Sequence, residues 1–68
     1  MNPEQIQSYN DSIQYCSKLI DHLEREKDTI HSCFRGEPLR AYLEATDLAI
    51  QRVKMIRDTL YSLQQMQT

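Results

Sequence analysis

Two histidines, two cysteines and a run of carboxylates are the residues of this chain whose types could do chemistry. His22 and His31 are nine positions apart, which on a helix sets them roughly 180° from each other, so they do not make a two-histidine metal pair. Cys16 and Cys33 are separated by 17 positions. On one helix that is roughly 25 Å, far beyond the reach of an intramolecular disulfide. Cys16 falls on an apolar stripe, where it packs as a small hydrophobe. Asp21, Glu24, Glu26 and Asp28 alternate with Arg25 and Lys27, the composition of a solvated helix face carrying neighbouring ion pairs rather than of a carboxylate dyad. Ser17 and Asp21 put a hydroxyl and a carboxylate on one helical face, but no further group of a nucleophilic site accompanies them. A single glycine leaves no room for a glycine-rich phosphate loop or a nucleophile elbow. No catalytic, metal or cofactor site is expected.

The elements that would position these residues are all helical. The 68 residues are one domain at most, and a chain this short buries too little surface for a strong core of its own. A partner is expected. Eight Lys or Arg against ten Asp or Glu, spread along the chain for a net charge of -2, leave no basic patch for a phosphate backbone. No apolar run approaches the roughly 20 residues that span a bilayer, and the N-terminus lacks the basic and apolar segments of a cleavable signal peptide. Nucleic-acid binding and membrane insertion are therefore not expected, and any export would follow a route independent of a signal peptide.

Asn2 as N-cap, Pro3 at the first helical position and Glu4 and Gln5 in the first turn open a helix over about 3–33. Ile6, Tyr9, Ile13, Cys16, Ile20, Leu23, Lys27, Ile30 and Phe34 recur with steps of three and four, the pattern of a packed helix pair. Lys27 alone breaks it. Its aliphatic stem is expected along the seam with the ammonium in solvent, the alternative being a carboxylate across the interface. Gly36 and Pro38 punctuate a turn over about 34–37. A second helix over about 38–66 then carries Leu39, Tyr42, Thr46, Ala49, Val53, Ile56, Leu60 and Leu63 at the same spacing. The short turn requires the two arms to pack antiparallel. The fold class is all-α, a helical hairpin.

A further apolar set flanks the stripes: Leu43 and Ile50 beside that of helix two, Leu48 and Met55 further round, and Leu19 on helix one. One facing helix cannot cover so much apolar surface, and pairing two hairpins into a four-helix bundle would. These five residues are the expected partner interface.

Phe34, Gly36 and Tyr42 carry a resemblance. A helix, a Trp-x-Gly turn, a second helix and an aromatic six residues beyond the glycine define the WXG-motif family of small proteins exported by type VII secretion systems. This chain resembles a divergent member, with Phe34 at the tryptophan position, Gly36 at the glycine and Tyr42 at the helix-two aromatic. The resemblance implies a non-enzymatic protein that pairs with itself or a related helical chain, cytoplasmic before export and then secreted, with Phe34, Gly36 and Tyr42 shaping a turn presented to the secretion machinery. The family's export signal commonly includes Tyr-x-x-x-Asp/Glu after helix two. Here Ile13, Leu19, Thr46 and Gln65 stand four residues beyond Tyr9, Tyr15, Tyr42 and Tyr61. A second subunit is then expected to supply that acidic group, which fits a targeting partner of a larger exported protein, such as an LXG-type toxin with its own N-terminal helical region. The alternative is a cytosolic adaptor or regulator that uses the same hairpin to bind a partner helix.

Overall fold

The computed structural model describes residues 3–66. It consists of α1, Pro3–Cys33, and α2, Gly36–Met66, packed against each other along their length. Asn2, the expected N-cap, lies outside the described residues. Pro3 opens α1, and no proline or glycine interrupts the next thirty residues, so nothing removes a helical hydrogen bond or adds backbone entropy there. Each arm has 31 residues, and at 1.5 Å per residue each measures about 46 Å. The molecule is correspondingly a rod of 51 × 15 × 10 Å.

Only Phe34 and Arg35 separate the helices. Phe34 N–H still donates to Ile30 O at 3.0 Å, a last helical bond, and the chain reverses at Gly36, whose φ is +68°. That left-handed conformation costs an L-residue roughly 1–2 kcal/mol and costs glycine little. A Cβ at this position would meet no atom within 4 Å, so conformation rather than space requires the glycine. α2 begins two residues before the expected 38. Pro38 therefore stands third in the helix, where its missing N–H costs nothing because first-turn donors lack an intrahelical acceptor.

The core is a single seam. Ile13, Cys16, Ile20 and Ile30 of α1 and Ile50 of α2 are the buried apolar side chains among the described residues. Leu23, Leu39, Leu43, Thr46, Val53 and Leu60 are half-buried around them. From Tyr9 to Phe34 the α1 stripe is as expected, whereas Ile6 at its start is exposed. On α2 the seam is displaced to one side of the expected stripe: Leu43 and Ile50 turn inward, while Tyr42, Ile56 and Leu63 are exposed.

Polar links across the seam agree with that rotation. Lys27 Nζ lies 2.9 Å from Asp47 Oδ1, so the seam lysine pairs across the interface rather than ending in solvent. The hydrogen bond from Lys27 to Asp47, followed by the attraction between their charges, holds the ammonium above its usual pKa. Near the open end Gln64 Nε2 donates to Asn10 Oδ1 at 2.7 Å. Both contacts draw in the edge of α2 that carries Asp47 and Gln64, and so push the Tyr42, Ile56 and Leu63 row outward. Thr46, in the seam, donates its hydroxyl to Tyr42 O at 2.8 Å, which keeps its polar atom satisfied.

Candidate functional site, a protein interface

The groups singled out for chemistry do not converge. His22 and His31 are exposed, and His22 Nε2 sits 3.6 Å from Glu26 Oε1 one turn on. Cys16 is buried, Cys33 is exposed, and both are free thiols. Among the described residues no three of His, Cys, Asp or Glu gather as metal ligands would, and no helix is long and apolar enough to cross a membrane.

Two other features stand out, and the first is the closed end. The rings of Phe34 and Tyr42 stack with centroids 4.5 Å apart and planes at 26°. Gly36 between them makes the reversal that brings the rings together. The three residues expected to form one motif thus form one physical unit: an aromatic lid on the turn, half exposed at Tyr42 and half buried at Phe34.

The second feature is the difference between the two long sides of the hairpin. One side is polar, with Asn10, Gln14, Asp21 and Glu24 of α1 and Arg40, Asp47 and Lys54 of α2. The other is apolar and open. A groove of about 470 Å³ runs between Ser12, Tyr15 and Leu19 of α1 and Val53, Ile56 and Leu60 of α2. Over the rim formed by Ile56 and Leu60 it meets a second depression of about 430 Å³ edged by Arg52, Met55 and Thr59. Tyr42, Leu48, Leu63 and Met66 extend the exposed apolar surface along α2. Exposure reaches 69% at Met55 and 54% at Ile56.

Of the five residues expected to make a partner interface, Leu48 and Met55 lie on this open side, and Leu19 lines its groove. Ile50 does not. At 4% exposure it is the most deeply buried of the core side chains, and Leu43 beside it is half-buried. Both belong to the intramolecular seam because the lateral rotation of α2 exchanges them for Ile56 and Leu63. Tyr15, Ile56 and Leu63 are exposed apolar residues that periodicity had hidden. Ile56 and Leu63 carried the right spacing but were placed in the seam, and Tyr15, one helical turn before Leu19, was the available sign of a groove edge.

No family model matches the chain, and neither a curated protein nor a solved structure does.

Proposed function

We propose that this chain is a non-enzymatic helix-pairing subunit of WXG-like type, whose open apolar side is covered by a helical partner to complete a four-helix bundle, and whose turn marks that complex for type VII export. The partner is a second small helical chain or the N-terminal helical region of a larger exported protein such as an LXG-type toxin. In this reading the chain is cytoplasmic until it leaves with its partner by a signal-peptide-independent route. The observation that carries the proposal is the stacking of Phe34 on Tyr42 across Gly36, which turns three scattered residues into one presented surface.

The mechanism divides the molecule by length. Toward the open end, Tyr15, Leu19, Met55 and Ile56 offer a wide apolar strip that a partner helix desolvates, each side chain that becomes fully buried contributing about 1.5–3 kcal/mol. At the closed end the aromatic pair is held rigid by the turn, so it is available to a receptor without an ordering cost at the moment of binding.

Gly36→Arg and Phe34→Ala test the role of the turn. Each is expected to cut export several-fold in cells carrying the secretion system, while far-UV circular dichroism of the purified variants stays helical. The arginine has space but must adopt a strained φ, and the alanine removes one ring of the stack. Unchanged secretion of both variants would remove the turn from the mechanism and leave a cytosolic adaptor as the better account.

A further inference from the structure

The two halves of α2 are packed differently. As far as Ile50 the inward positions hold Leu39, Leu43, Thr46 and Ile50, and Asp47 is held across the seam by Lys27. Beyond Ile50 no side chain of α2 is buried among the described residues. There Val53, Arg57, Leu60 and Gln64 take the inward positions, all of them half-buried, while Ile56 and Leu63, one position before the arginine and the glutamine, are exposed. The open half therefore keeps a guanidinium stem and an amide in the seam and two large apolar side chains out of it. The Arg57 guanidinium turns to Asp58 beside it, with Nε 3.6 Å from Oδ1.

The groove of about 470 Å³ lies over this half, and Ile56 stands on its rim with Val53 and Leu60, opposite Cys16 and Leu19. Successive residues are roughly 100° apart around a helix. A rotation of the open half about its own axis by about half that angle would keep Val53 and Leu60 inward, exchange Arg57 and Gln64 for Ile56 and Leu63, and carry the Ile56 side chain into the groove. It would return two polar groups to water and bury apolar surface, both favourable. Opposing it are the re-twisting of the helix beyond Ile50 and the loss of one bond: Gln64 Nε2 donates to Asn10 Oδ1 at 2.7 Å, which requires Gln64 to face α1. The half nearer Gly36 does not follow, because Leu43 and Ile50 have only Tyr42 and the small Ala49 as substitutes and Asp47 is tied to Lys27.

We infer that the open half of α2 is a two-position lid on the groove. The Asn10–Gln64 hydrogen bond holds it open, and when that bond is lost Ile56 and Leu63 rotate inward and close the groove to a partner. Cores with two discrete packings switch in this way rather than deform continuously. The regulatory role rests on the reading of the groove as a partner's site, whereas the movement itself belongs to the single chain.

Thiols at two neighbouring positions read the rotation. In a Cys33→Ser background, whose remaining native thiol, Cys16, is buried, Ile56→Cys and Arg57→Cys are made separately. Their rates of reaction with a soluble thiol reagent are taken at dilutions where the rates no longer depend on protein concentration. With Asn10 in place, position 56 should react faster than position 57. Adding Asn10→Ala is expected to slow position 56 and speed position 57, so that the ratio of the two rates falls about fivefold, the shift that one hydrogen bond of ordinary strength makes in a two-state equilibrium. Asn10→Asp keeps an acceptor for Gln64 and should restore the ratio. Faster reaction at both positions would show a loosened seam, and unchanged rates a fixed one; either result overturns the lid while leaving the helix-pairing function standing.

Discussion

Replacing Ile50 by alanine is expected to cost about 3 kcal/mol of folding stability, read as a lowered urea midpoint by far-UV circular dichroism. Ile50 is 4% exposed, and it is the buried apolar side chain that α2 contributes against Ile13, Cys16, Ile20 and Ile30 of α1. Truncation removes its transfer free energy and leaves a cavity that a two-helix seam has few other side chains to fill. At roughly 0.05–0.15 kcal/mol per residue a chain of 68 residues holds only about 3–10 kcal/mol in total. The variant should therefore be largely unfolded under conditions where the wild type is not, and Ile50→Val, at about 1 kcal/mol, should be mild. An unchanged midpoint for Ile50→Ala would place the residue outside the core and restore the Tyr42, Ile56 and Leu63 row to the seam.

The opposite behaviour is expected one turn further round the same helix. Met55→Glu combined with Ile56→Glu replaces side chains that are 69% and 54% exposed, so the helical signal of the hairpin should be retained. Pairing should suffer heavily. Each substitution forfeits the burial of a large apolar group, about 1.5–3 kcal/mol, and would bring a carboxylate into an apolar interface. Together they should weaken association at least about 100-fold, which needs only about 2.7 kcal/mol. Sedimentation over a concentration series checks this. Association at wild-type strength in a folded double variant would move the interface away from this side of α2.

The contrast between these two outcomes shows what could be read from residue order and what could not. α1 has one apolar stripe, broken once, and its inward face followed from spacing alone. α2 has three adjoining apolar rows, those of Leu43 and Ile50, of Tyr42, Ile56 and Leu63, and of Leu48 and Met55. Steps of three and four locate such rows without saying which pair of them faces inward. That choice agrees with contacts between helices, Lys27 with Asp47 and Asn10 with Gln64, and a pairing 54 positions apart leaves no periodic trace. Lys27 shows the same limit: a stripe position predicts a stem along the seam, but its carboxylate partner depends on the register of the opposing helix. Gly36 was legible because one glycine in a chain of strong helix formers can mark only one reversal. The start of α2 was less so, since Pro38 suits the third position of a helix as well as the first.

The Lys27–Asp47 pair also sets a pH signature for the seam. Its partner raises the lysine pKa in the folded state, so the stabilisation is fully present below the unfolded value of 10.5 and fades as pH rises through the higher folded value. Near neutral pH the pair is intact and serves the register of the two arms.

The solution mass of the purified chain, measured by light scattering over a range of concentrations and then with the helical proteins encoded beside it, tests coverage of the open side most directly. The predicted result is a species heavier than the 8.1 kDa of one chain, about 16 kDa if the chain pairs with itself and a larger complex on mixing if it pairs with a neighbour. A mass of 8.1 kDa at every concentration, alone and in every mixture, would contradict it.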